Sequence, residues 1–286
     1  MFAVLKQAFK DFNDDECPVR AAALAYYTVF ALPPLLILLI FVAGALWDPQ
    51  DVQTALEGQF ATLVGSDGAR AIREMLQSAD RPGSRGVLAA TLGIAALLFG
   101  ATGAMLQLQS ALNRAWEVRP DPKQGGWKRF LGKRILSLAM IVGVAFLLVV
   151  SLAVTAAISA AGHALTFIPE SLLQSVNFVL SLAVLTLLFA AIFKILPDAV
   201  IPWRDVWVGA ATTSLLFVVG KFVIGLYLGR SSPGDPFGAA SALAVILVWI
   251  YYAGMIVLFG AEFTQAWAKH RGAAIVPERG AERLTA

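Results

Sequence analysis

Six long apolar stretches, at 21–47, 86–112, 135–161, 175–196, 205–229 and 239–267, occupy most of the 286 residues. Each is long enough to cross the hydrocarbon core of a bilayer as an α-helix. Composition agrees, since 58% of the residues are hydrophobic and only 14% are charged. The expected fold is therefore an all-α, polytopic membrane bundle of six transmembrane helices in a single domain, residues 1–286. Within it, 1–20 is expected to be a cytoplasmic interfacial helix, 21–267 the bundle, and 268–286 a partly disordered cytoplasmic tail.

A net charge of +3 would suit an acidic partner such as nucleic acid if the cations gathered on one soluble face. They lie instead in the short connections between spans, so no nucleic-acid partner is expected. With six crossings both termini share a side. The connections on that side carry fifteen Lys and Arg, and the opposite connections carry five. The excess of cations on cytoplasmic loops then places both termini in the cytosol. Trp116, Trp127, Trp203, Trp207 and Trp267 fall at the same ends, where an indole ring is buried while its N–H stays wet.

No cleavable signal peptide is read at the amino terminus, where Lys6, Lys10, Asp11, Asp14, Asp15 and Glu16 precede any apolar run. Phe2, Leu5, Phe9 and Phe12 share one side of a helix, as expected for an element lying on the membrane surface. Cys17 is the single cysteine, which excludes an intrachain disulfide. The long outer connection, 48–85, places Val52, Leu56, Phe60 and Leu63, and then Ile72, Met75, Leu76 and Ala79, at helical spacing. One or two extracytoplasmic amphipathic helices are expected there, either capping an opening or resting on headgroups.

Several features inside the spans bear on activity. Pro33 and Pro34 fall near the middle of the first span, remove two amide hydrogens and predict a break or kink that leaves the carbonyls of Val29 and Phe30 without their usual donors. Such a break either lines a transport site or is a packing kink. Lys194, Lys221 and Glu262 are ionisable residues within spans, where a charge costs on the order of 3 kcal/mol. Lys221 is expected to snorkel to the outer interface. Lys194 and Glu262, at similar depths on two spans, are expected to neutralise one another or to leave Glu262 as a coupling carboxylate. Gly93, Gly100, Gly103, Gly225, Gly229, Gly254 and Gly260 predict close helix packing, with Gly225 and Gly229 in a GxxxG arrangement. Gln107, Gln109, Ser110 and Asn113 cluster at the inner end of the second span, where they either cap the helix or meet a polar headgroup.

The run Ala21-Ala22-Ala23-Leu24-Ala25-Tyr26-Tyr27-Thr28 followed by Pro33-Pro34-Leu35-Leu36 resembles the opening signature of the YihY/virulence factor BrkB family of bacterial inner-membrane proteins. Ala111-Leu112-Asn113-Arg114-Ala115-Trp116, Leu196-Pro197-Asp198 and Val248-Trp249-Ile250-Tyr251-Tyr252 resemble later family segments, in the family's order. A departure occurs at 232–238, where members commonly carry a Tyr-Gly-Ser-like turn. The resemblance implies an inner-membrane protein suspected of transport or envelope work. The family's older label, ribonuclease BN, does not suit this chain: its two histidines, His163 and His270, are expected on opposite sides of the membrane and cannot share a metal. No phosphate-cradling glycine-rich loop followed by Lys-Ser/Thr occurs.

The sequence therefore predicts a non-enzymatic, permease-like protein for a small solute, ion or lipid, without cofactor or metal. The alternative is a non-transporting envelope scaffold that binds partners. Candidate cavity or coupling residues are Glu262, Lys194, Pro33, Pro34, Tyr26, Tyr27 and Lys221. Candidate headgroup contacts are Gln107, Asn113, Arg114, Lys128, Arg129, Lys133 and Arg134. Expected partners are membrane lipids, among them anionic headgroups, and a transported molecule, with a homo-oligomer left open.

Overall fold

The computed structural model describes residues 1–43, 48, 50–54, 57–58, 73, 102–121, 132, 143, 170–231, 241–273 and 276–284. Most of the second and third expected spans, most of the expected outer connection and the basic residues Lys128, Arg129, Lys133 and Arg134 lie outside the described residues. Among the described residues the chain is helical apart from two short strand pairs. In chain order the elements are α1 (Phe2–Asp14), α2 (Cys17–Ala43), α3 (102–115), β1 (Val118–Pro120), α4 (Glu170–Ile195), β2 (Ala199–Val200), α5 (Trp203–Ser231), α6 (Ser241–His270), β3 (Val276–Pro277) and β4 (Ala281–Arg283). Segments Phe178–Ile195, Trp203–Tyr227 and Leu243–His270 are long and apolar enough to cross a membrane. In the connection 48–85, residues 50–54 and 57–58 are helical, and Glu57 pairs with Arg73 at 2.8 Å.

The expected break at Pro33-Pro34 does not occur, because α2 is helical without interruption from Cys17 to Ala43. The two prolines already cancel two backbone hydrogen bonds. Unwinding further turns would leave additional unpaired groups in an apolar medium, each costing several kcal/mol, so the helix continues around the defect.

Helix α6 is the hub, packing against α1, α2 and α5. Its contact with α5 is a reciprocal lock. Thr264 sits on Gly209 and Thr213 sits on Gly260, so closely that a Cβ on either glycine would collide with the opposing threonine. Each hydroxyl is turned back on its own helix: Thr213 Oγ1 donates to Gly209 O at 2.7 Å and Thr264 Oγ1 to Gly260 O at 2.6 Å. The hydroxyls are thus satisfied locally, and each threonine's Oγ1, Cβ and methyl group crowd the opposing glycine, where only a missing side chain leaves room. Among the described residues, Gly225 of the predicted GxxxG pair is exposed and has no neighbour within contact distance. Gly103 behaves as predicted by admitting the Tyr27 ring, and Gly254 lies against Ala21 and Leu24.

Helix α1 keeps most of the expected apolar face outward and packs inward through smaller side chains. Val4 and Ala8 are buried against Phe263 and Ala266 of α6, while Phe2, Leu5 and Phe9 point outward. Small side chains permit the closest helix approach, so they take the inner face and the large apolar residues are left on the outer one.

The buried core is richest at the end of the bundle that carries α1, called here the terminal end. Cys17, Leu112, Ala115, Trp116, Phe193, Leu196, Ile201, Val206 and Ala261 meet there. Trp116, expected at the interface, is 1% exposed and belongs to this core. The tail 276–284 is ordered rather than loose: β4 pairs antiparallel with β1 (Val118 opposite Arg283), and β3 with β2 (Ala199 opposite Pro277). Ion pairs Arg119–Glu282, Lys269–Glu117 and Arg271–Asp205, at 2.7 to 2.8 Å, hold the same surfaces together.

Replacing Gly260 with Ala is expected to lower stability by about 1–3 kcal/mol through overpacking. Adding Thr213→Ala removes the group that the new methyl would meet, so the double variant should regain most of the loss in thermal or denaturant unfolding. Equal stability of wild type and the single variant would contradict the lock.

Candidate functional site

The terminal end contains a carboxylate that the fold has taken almost wholly out of water. Asp198, in the turn after α4, is 6% exposed. Such a group needs hydrogen-bond donors, because an unpaired buried carboxylate is expensive. Asn113, near the end of α3, supplies them in both directions. Its Nδ2 donates to Asp198 Oδ2 at 2.8 Å, and its Oδ1 accepts from the Asp198 backbone N–H at 2.7 Å. Gln109, one turn earlier on the same face, adds a long contact from Nε2 to Oδ1 at 3.4 Å. The carbonyl of Asp198 accepts from the Glu278 N–H, which ties the tail to this turn.

Beside this joint, and sharing Gln109 and Asn113 with it, lies a cleft of about 410 Å³, lined also by Arg20 from α2, by Leu106, Ser110 and Arg114 from α3, by β1 and by Leu284. Three arginines border it: Arg20, Arg114 and Arg119. Arg114 Nε donates to Asp15 Oδ1 at 2.8 Å, Arg119 Nε to Glu282 Oε1 at 2.7 Å, and Arg20 Nε to the Asp15 carbonyl at 2.9 Å. Burial pushes the Asp15 carboxyl above its ordinary value, against the opposing pull of the Arg114 guanidinium; Asp11 adds to the rise and Arg20 works against it.

Among the described residues, the candidate coupling side chains Glu262, Lys194, Tyr26 and Tyr27 engage different neighbours. Glu262 is fully buried in α6, accepts the Cys17 thiol on Oε1 at 3.5 Å, and has no partner for Oε2 among the described residues. The expected Lys194–Glu262 pair is absent. Lys194 Nζ instead donates to Ile201 O at 2.6 Å and lies 5.5 Å from the Trp203 ring centre, so it closes the turn between α4 and α5. The reason is local reach: the α4–α5 turn folds a carbonyl and an indole face back over the lysine, whereas Glu262 faces the start of α2. Tyr26 is exposed and packs on Tyr27 and Phe30, while Tyr27 covers Gly103. Lys221 is half-buried on α5. The side chains of Pro33 and Pro34 lie outside what is described.

Among the candidate headgroup contacts, Asn113 and Arg114 do line the cleft, and Gln107 does not. Asp198, Arg20 and Arg119 were missed as site residues. Their signal was present in the polar interruptions Asn113 and Asp198 beside apolar helix ends, but pairing residues 85 positions apart requires the tertiary structure.

Asp15 yields a pH prediction. Because its folded value lies above the unfolded one, its contribution to stability is complete below the ordinary carboxylate range and is lost as pH rises through the folded value. Asp15→Asn should flatten the melting temperature against pH in that window. An unchanged slope would show that the carboxyl is not desolvated.

The sequence profile described as virulence factor BrkB matches residues 8–285. The chain is 30% identical to a UPF0761 membrane protein of Pseudomonas aeruginosa over 261 residues, covering 87% of this chain and 59% of that protein. It is 29% identical to a UPF0761 membrane protein of Azotobacter vinelandii, covering 89% and 60%, and 31% identical to one of Verminephrobacter eiseniae, covering 88% and 59%. The chain thus spans about three-fifths of the length of these curated relatives. No solved structure matches the chain significantly. Its apolar helices, its motifs and a profile match that runs from α1 to the end of the tail make this chain an integral membrane protein of the virulence factor BrkB family.

Proposed function

We propose that the chain is a six-span protein of the bacterial inner membrane, with both termini in the cytosol, that acts as a permease-like carrier without enzymatic chemistry. The orientation is supported by the excess of Lys and Arg in the connections assigned to the cytoplasmic side. The observation that carries the functional reading is the cleft at the terminal end. It is open, of ligand size, bordered by three arginines, and built from the ends of the first and second expected spans. A solute, ion or lipid headgroup entering from the cytosolic face would meet it first. Glu262, buried in α6 with one oxygen unpartnered among the described residues, is the group best suited to couple movement to a cation or proton.

A scaffold is the competing function, favoured by the Gly–Thr lock between α5 and α6 and by the strand-paired tail, both of which stiffen the terminal end. Reconstitution separates the two. Liposomes holding the purified chain should move either a fluorescent phospholipid analogue between leaflets or trapped glycerol phosphate across the bilayer faster than empty liposomes, and Glu262→Gln should slow the movement. Rates equal to those of empty liposomes for every probe would favour the scaffold.

A further inference from the structure

We propose that the cleft between α2, α3 and β1 binds a phosphate-bearing anion through the outer Nη groups of Arg20, Arg114 and Arg119. The inference starts from how each guanidinium is held. All three are anchored through Nε: Arg20 to the Asp15 carbonyl, Arg114 to the Asp15 carboxylate and Arg119 to the Glu282 carboxylate. The Nη groups of all three have no protein partner among the described residues. Anchoring at Nε fixes the plane of each fork before any ligand arrives, so little rotamer freedom remains to be lost on binding.

The three forks come from three separate elements that converge on one cleft. A tetrahedral oxyanion offers several acceptor oxygens in different directions, and this matches convergent guanidinium forks better than one planar carboxylate does. The neighbouring acids are already engaged: Asp15 and Glu282 hold arginines, and Asp198 accepts from Asn113 and Gln109. Ser110 adds a hydroxyl to the lining, while Leu106, Val118, Pro120 and Leu284 provide apolar wall. Cationic rim beside apolar wall suits an organic phosphate, either a lipid headgroup or a soluble phosphate ester.

This deepens the permease reading by naming the chemistry of its ligand, and it rests on that reading only for the ligand's role as cargo. Binding is therefore measured at equilibrium, independently of flux. The full chain would be titrated with sn-glycerol 3-phosphate by calorimetry in detergent, and assembled in phosphatidylcholine nanodiscs to which phosphatidylglycerol is added in steps. Saturable binding of glycerol phosphate identifies a soluble ester; saturable binding of phosphatidylglycerol alone identifies a headgroup. In either arm Arg20→Gln and Arg119→Gln should each weaken binding roughly tenfold. Arg119→Lys, which retains the charge beside Glu282 but not the fork, should give an intermediate loss, and exposed Arg279→Gln should bind as wild type. No binding in both arms, cleft variants that bind as wild type, or an equal loss with Arg279→Gln would each overturn the proposal. Phosphate binding without flux would leave the site standing and remove the permease; flux with no dependence on Arg20 and Arg119 would do the reverse.

Discussion

The two hydrogen bonds between Asn113 and Asp198 are the constraint on which the terminal end depends. They join the end of α3 to the turn between α4 and α5, segments 85 residues apart, in a place where the carboxylate is nearly free of water. A carboxylate held this way cannot drift without leaving its charge unpaired in a poor solvent, so it fixes register as well as distance. The Asp198 carbonyl then receives the tail through Glu278, and β3 and β4 pair with β2 and β1 on either side. The far wall of the cleft is built from the same residues, Gln109 and Asn113. Arg119 and Leu284 reach the cleft only because β1 and β4 are paired there.

Around that joint, the bundle follows the logic of helices surrounded by lipid. Burial of apolar surface gives little preference for one helix neighbour over another when the solvent is also apolar, so close backbone approach and local polar satisfaction decide the pairing. The Gly209–Thr264 and Gly260–Thr213 contacts meet both demands at once. The α4–α5 contact adds an inter-helix bond from Thr186 Oγ1 to Ser214 Oγ at 3.1 Å, with Phe189 and Phe217 packed beside it.

Sequence patterns disclosed what depends on local chemistry. Apolar run length located the spans that α4, α5 and α6 occupy, and the family motifs anticipated the profile match. Asn113 and Arg114 were legible as polar residues at a helix end, where an apolar run stops. What stayed hidden depends on contacts across the chain. Nothing in the spacing of Trp116 separates a buried indole from an interfacial one, and nothing in Gly225 separates an exposed glycine from a packed one. Lys194 and Glu262 match in depth and are opposite in charge, yet azimuth around each helix sends one to Ile201 and the other to Cys17. The polar tail reads as loose from composition alone, because its order comes from strand edges offered by residues 118–120 and 199–200.

A double-mutant cycle on Asn113 and Asp198 tests the central joint most directly. Unfolding of purified wild type, Asn113→Leu, Asp198→Leu and the double variant should give a coupling of about 1.5–3 kcal/mol, with the double variant less damaged than the two single losses combined. Strictly additive losses would mean that these residues stabilise the fold independently, and the terminal end would need another explanation.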